Sequence, residues 1–244
     1  MAVVCGTLAS MATETQGIDV SHWDADRIGY DLVRVGLRAA VDSGVCFVIA
    51  KCTHGVGLVD AGWTAWRSAS DACGVACVPY CFPTREHPGA DQARFFLATL
   101  ARSFGPDLSK IVRLAVDVET DEGHPANTAD LAHVDDCVQA LADATGVLPL
   151  LYGNPSDLGD MVPEGHRLAQ CPLWLADYEP RPHLPRAWSS YVLWQYTDGV
   201  VPRSGAAGPL LTPGLGPVDR NRFEGSKEAL ALMLYPHYAP KVVA

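Results

Sequence analysis

Apolar residues fall along this chain in two rhythms. The first is a series of short, dense runs: GIDVS (17–21), VCFVIAKC (45–52), VACVPYCF (75–82), IVRLAVDVE (111–119), VLPLLYG (147–153), PLWLADY (172–178), SYVLWQYT (190–197) and PVDRNRF (217–223). Runs of this length, bounded by Gly, Pro and polar residues, predict strands. Several are continuously apolar rather than alternating, which predicts a parallel sheet covered on both faces. The second rhythm is helical spacing, in YDLVRVGLRAAVDSG (30–44), DAGWTAWRSASDACG (60–74), GADQARFFLATLARSFG (89–105) and NTADLAHVDDCVQALADATG (127–146). Each stretch closes on a Gly, the residue that most easily turns the chain out of a last helical turn. Asn127 or Thr128 is the expected N-cap of the fourth.

Strands alternating with helices predict an α/β parallel sheet, and eight strand candidates predict that it closes into a barrel. After residue 150 the helical stretches shrink and Pro/Gly loops take over, in PRPHLPRAW (180–188) and VPRSGAAGPLLTPGLG (201–216). The second half is therefore expected to be irregular, with short strands. We expect one domain: a disordered leader over 1–14, with Met11 as an alternative start, a barrel over 15–225, and a packing helix with a loose tail over 226–244.

Composition narrows the function. At 244 residues and 48% hydrophobic, the chain can bury one large core. Its 18 basic and 28 acidic residues leave a net charge of −10 with no basic stripe. That argues against nucleic acid or an anionic membrane as the main partner. No apolar run is long enough to span a bilayer, and the first residues lack the positive start of a secretory signal. The eight cysteines form no CxxC and no zinc-spaced cluster with His. They are expected as reduced thiols serving as small core residues. His22 lies close to Asp19 in sequence, but no second His shares its spacing. A packed or capping role is expected for it, and no metal or other cofactor for the protein.

The candidate chemistry sits where strands end. In RLAVDVETDEG (113–123), Asp117 and Glu119 stand two apart, so in a strand both face one side while Val118 faces the other. Like charges so placed drive two pKa values apart. This is either an acid/base pair or a strand running out into a polar loop. The other strand ends favour the first. Asp19, Tyr80, Tyr152, Trp174, Asp177, Gln195 and Asp219 all fall at such ends, and in a barrel of this kind function gathers at one rim. Acids and aromatics together suit a neutral sugar chain, and paired carboxylates suit glycosidic bond cleavage. Asp177 is equally readable as a structural hydrogen-bond acceptor, and the three aromatics as rim packing.

Taken together, GIDVSHW, FVIAKCTHGVGLVD, VPYCF with GADQARFFL, RLAVDVET, PLLYGN, LWLADY, WQYTDG and VDRNRF resemble the glycoside hydrolase family 25 lysozymes, from about Gly17 to Phe223. The resemblance implies an irregular TIM-like barrel, five β/α units followed by three short strands. It implies hydrolysis of the β-1,4 bond between N-acetylmuramic acid and N-acetylglucosamine in peptidoglycan. Glu119 matches the general acid/base, Asp117 its ionised partner, and Asp19 and Asp219 the two further acids. Asp117 would either stabilise an oxocarbenium ion or orient the 2-acetamido group as internal nucleophile; the second is favoured. Tyr80, Tyr152, Trp174, Asp177 and Gln195 are the expected sugar contacts. A monomer acting at the bacterial cell wall is expected, phage-encoded or exported by other means. Departures from the family pattern fall at Cys52, His54 and Cys81, placed by the resemblance on the groove rim. They motivate an alternative, a barrel that binds wall glycan without cutting it. A chitinase of another barrel family fits less well, because its upstream acids are replaced by Arg113 to Val116.

Overall fold

The structure, a computed structural model, describes residues 14–105, 112–121, 123–200 and 210–237. The expected leader, apart from Glu14, and the end of the expected tail lie outside the described residues. Nine strands appear among the described residues: β1 (Glu14–Val20), β2 (Val45–His54), β3 (Leu58–Val59), β4 (Ala76–Phe82), β5 (Ala115–Asp117), β6 (Leu150–Gly153), β7 (Leu173–Ala176), β8 (Leu193–Thr197) and β9 (Asp219–Glu224). The helices are α1 (His22–Ile28), α2 (Val33–Asp42), α3 (Trp63–Cys73), α4 (Gly89–Phe104), α5 (Leu131–Thr145), α6 (Pro155–Met161) and α7 (Lys227–Leu234).

The sheet runs β1-β9-β8-β7-β6-β5-β4-β2-β3, and β1 also pairs with β2. Eight strands thus close into a barrel, with β3 a hairpin arm on β2. Five β/α units lead into the short strands β7 to β9, so the barrel is the irregular one expected. All barrel pairings are parallel except those of β9, which is antiparallel to both β8 and β1. Treating the eighth strand as one more parallel strand is therefore corrected, with a consequence for the site described below.

Local chemistry explains the elements. Gly74 and Gly146 end α3 and α5 in left-handed backbone, as the Gly-closed helical stretches predicted. The N-cap of α5 is Asp130, not Asn127 or Thr128: its carboxylate accepts the backbone N–H groups of Ala132 and His133. Asn127 instead closes a 3-10 turn, and the Thr128 hydroxyl accepts from the Asp121 N–H. Two short helices went unanticipated because neither is long enough to show a period. Both carry caps: Ser21 with Asp24 forms a capping box on α1, and Asn154 accepts from the Asp157 N–H on α6.

The core lies inside the barrel and between barrel and helices. Phe47, Trp66, Phe96, Leu141 and Leu150 are wholly buried, each contributing about 1.5–3 kcal/mol of apolar burial. Phe47 explains Gly17, because a Cβ there would overlap the phenyl ring. Six of the seven described cysteines are buried and all seven are unbonded, so the expected core role holds for those six. Cys52 and Cys81 are among them, with 0% and 3% exposure. They belong to the barrel wall, which corrects their placement on the rim; of the three departures only His54 reaches the mouth.

Candidate active site

The C-terminal ends of the parallel strands make one acidic mouth. Asp19 arrives on β1, and Asp117 is the last residue of β5. Asp219 is the first residue of β9, not at its end. Because β9 runs antiparallel, its start lies at this same rim, and Asp219 pairs in register with Asp19. Glu119 stands just beyond the end of β5 rather than inside the strand, half-buried where Asp117 is 5% exposed. Val118 between them is buried. The structure therefore brings all four sequence-predicted acids together.

Their electrostatics show the proximity. Burial pushes Asp19 up to about 7, against the pull of hydrogen bonds from Gln195 and Asn221, with the charges of Asp24 and Glu119 adding to the rise. Burial lifts Asp219 to about 10, aided by Asp19, Asp24, Asp198 and Glu119. Asp117 is driven well above the usual carboxylate range by burial first and Glu119 second, while the Lys51 ammonium opposes the rise. Burial and Glu119 thus work against the ionised form of Asp117, and Lys51 works for it. Acids this close titrate as one interacting set.

Asp19 is anchored by neutral donors. Gln195 Nε2 donates to its Oδ1 at 3.1 Å and its Oδ2 at 3.0 Å, and Asn221 Nδ2 donates to Oδ2 at 2.7 Å. Gln195 Oε1 accepts from the Tyr152 and Tyr178 hydroxyls, both at 3.0 Å. Asn221 Oδ1 accepts from the Trp174 indole at 2.7 Å. Five strands or their ends are tied together by this network. Asp117 differs: its buried Oδ1 has no hydrogen-bond partner among the described residues.

The expected sugar contacts divide. Tyr80 and Tyr152 line the barrel mouth at 8% and 6% exposure, while Trp174, at 1%, lies beneath Tyr152 with ring centroids 4.2 Å apart. Trp174 offers no open face, so its expected stacking on a sugar is corrected to support of the floor. Gln195, at 1% exposure, is likewise committed to Asp19. Asp177 accepts from the Glu179 and His183 backbone N–H groups and from the His183 ring. Of its two readings, the structural acceptor of a loop is the one the geometry fits.

Three residues escaped the sequence analysis as site members. Asp24 is a fifth acid, drawn in by its capping box; the S-x-x-D spelling of SHWD was the available signal. Trp23 is 74% exposed at the same rim, its ring 4.4 Å from that of His22, whose Nδ1 lies 2.8 Å from the buried Asp60 carboxylate. His22 is thus the packed histidine expected. Lys51 supplies the nearby cation. Beside Glu119 a cavity of about 420 Å³ extends past Val118 and Thr120 toward Asp157, Asp160 and Met161. No group of His, Cys, Asp and Glu among the described residues is arranged to hold a metal ion.

Comparison with known proteins follows this geometry. A family model described as "Glycosyl hydrolases family 25" matches residues 18–203. Among solved structures, the fold is similar to the muramidase from Acremonium alcalophilum, with TM-score 0.68, 24% identity, and coverage of 89% of this chain and 97% of that one. It is similar to the bacterial lysozyme from Streptomyces coelicolor, with TM-score 0.70, 20% identity, and coverage of 92% and 99%. It is also similar to the catalytic domain of endolysin ply40 from bacteriophage P40 of Listeria monocytogenes, with TM-score 0.59, 19% identity, and coverage of 91% and 97%. Comparison with curated proteins returns no match.

Proposed function

Since this chain belongs to glycosyl hydrolase family 25 and is a lysozyme that hydrolyses peptidoglycan glycosides, we propose that its mouth cuts the β-1,4 bond between N-acetylmuramic acid and N-acetylglucosamine. The observation that carries this is the coupled set of Asp19, Asp117, Glu119 and Asp219 at one rim, with one buried oxygen of Asp117 left unpartnered. A buried acceptor left unsatisfied by the protein at a mouth is costly unless a ligand or water completes it.

The roles follow from that asymmetry. The N–H of the sugar's 2-acetamido group meets Asp117 Oδ1. A hydrogen bond to a carboxylate favours its ionised form, so substrate arrival moves the pair's proton from Asp117 toward Glu119. Glu119 then gives that proton to the glycosidic oxygen as the bond to the anomeric carbon breaks. The acetamido carbonyl oxygen bonds to the same carbon, forming a cyclic oxazolinium intermediate. Glu119, now a base, removes a proton from water, whose oxygen opens the ring with net retention. The charge that offsets the cationic intermediate is that of Asp117, while Asp19 and Asp219, held toward their protonated forms by burial, complete the polar wall around it. Tyr80, Tyr152 and exposed Trp23 supply apolar faces to the sugars. The domain acts as a monomer at the bacterial cell wall, with no help from nucleic acid, membrane, metal or organic cofactor.

Digestion of purified peptidoglycan followed by borohydride reduction tests the reading. Reduced N-acetylmuramic acid should appear, and Glu119→Gln should abolish it. Reduced N-acetylglucosamine would overturn the bond assignment. Glycan binding without release of either end would favour a non-cutting barrel.

A further inference from the structure

Beside the acidic mouth the sequence places a cation, a ring and a second carboxylate that the catalytic roles above do not use. Lys51 and His54 both lie near the end of β2, where pairing with β4 slips between Lys51 and Thr53. Such a bulge re-aims side chains, here leaving Cys52 in the core. Lys51 Nζ reaches His54 Nδ1 at 3.3 Å and lies 4.7 Å from the centre of the Phe82 ring. The His54 ring stacks on Phe82 with centroids 4.6 Å apart and planes 12° from parallel. Its Nε2 faces Asp121 Oδ2 at 3.6 Å.

This geometry fixes the histidine tautomer. An ammonium has no lone pair, so Nδ1 must accept from Lys51. The remaining proton then sits on Nε2, directed at the Asp121 carboxylate. From its own strand His54 faces Lys51; from the segment after β5 it faces Asp121; from the connection after β4 it faces Glu86. Burial and the Lys51 charge keep the ring neutral against the two acids. The same Lys51 charge is the one that draws Asp117 down.

We propose that His54 is a positioning residue: held by Asp121 and stacked on Phe82, it seats the Lys51 ammonium at the acidic mouth, where that cation favours the charged form of Asp117. The chain Asp121–His54–Lys51 thereby tunes how readily Asp117 gives its proton to Glu119. This rests on the function proposed above, but the coupling itself is a property of the empty protein. A protonated His54 cannot accept from Lys51 and repels it. The seat is therefore intact at neutral pH and is lost as pH falls through the depressed range of the histidine.

The test follows the Asp117 carboxyl by ¹³C NMR titration in wild type, His54→Ala, His54→Gln and Asp121→Asn, each checked for an unchanged circular dichroism spectrum. Loss of the seat should raise the Asp117 midpoint by about one on the pH scale in His54→Ala. Glutamine, which can accept from Lys51 and donate to Asp121, should restore it, and Asp121→Asn should fall between. The acid limb of kcat for wall hydrolysis should move up in parallel, with KM little changed. An unmoved Asp117 midpoint in His54→Ala would overturn the proposal, and so would a changed KM with a superimposable pH profile. The titration reads the coupling even if the bond cleaved is another one, so the two proposals fail separately.

Discussion

Asp19 and Asp117 carry the same side chain, lie almost equally buried at 7% and 5% exposure, and sit at the same rim of one barrel. Their surroundings differ. The β1 side, with β8 and β9 beside it, holds Asp19 through three hydrogen bonds from two amides that are themselves held. The β5 side leaves Asp117 Oδ1 without a partner and gives it Glu119 and Lys51 as charged neighbours. Burial alone therefore does not mark a working acid. A satisfied buried carboxyl stiffens its site; an unsatisfied one leaves a buried acceptor that costs stability.

Perturbing the two sides should separate these meanings. The largest effect is expected at Glu119→Gln: kcat for wall hydrolysis falls about 10²–10⁴-fold with the thermal midpoint unchanged, since an isosteric amide keeps the shape but cannot give the proton. Asp117→Asn should lower kcat about 10²–10³-fold while the thermal midpoint stays equal to or above wild type, because a desolvated, unpartnered carboxyl is removed. A lower midpoint would show that Asp117 is a scaffold residue after all. Asp19→Ala should do the reverse on stability. It strands the Gln195 and Asn221 amides, and urea unfolding should show a loss of about 1–3 kcal/mol.

The pH dependence has a definite sign. Asp19 has its folded carboxyl at about 7, above the ordinary 3.8, so the folded state binds the extra proton. That contribution is complete below the ordinary carboxylate value and is lost as pH rises through about 7. Asp117 and Asp219 act in the same direction. Scanning calorimetry should find the midpoint falling from mildly acidic to neutral pH, and Asp19→Asn should flatten that fall. The smallest effect is expected at Tyr152→Phe, which removes one hydroxyl from Gln195. It should cost about 1 kcal/mol in unfolding experiments and leave the acid limb of the rate in place.

How far the sequence reveals this follows from what has a period. The four long helices and the barrel strands were legible because burial imposes regular spacing, and Gly marks helix ends. The helices α1 and α6 and the two-residue β3 were not, being too short to repeat. The four acids could be collected as strand-end residues. The division between Asp19 and Asp117 could not, because it depends on Gln195 and Asn221, distant in the chain, reaching Asp19 from the adjoining strands β8 and β9. Trp174 and Gln195 looked like sugar contacts for the same reason: sequence placed them at the rim, and only the hydrogen-bond network shows them facing inward. Cys52 and Cys81 were drawn to the rim by resemblance, while the β2 bulge and barrel packing put them in the wall.

The antiparallel strand β9 has a consequence for how the molecule comes into being. It enters between β1 and β8, so β1, the first strand among the described residues, is closed by one more than 190 residues later. A chain emerging from the ribosome reaches residue 200 with the sheet open along two edges and with Asp19 facing no Asp219. Closure and completion of the acidic mouth are one event, late in synthesis and dependent on long-range pairing. A chain cut short before β9 lacks Asp219 at the mouth and leaves the β1 and β8 edges unpaired, the kind of edge that invites association with other strands.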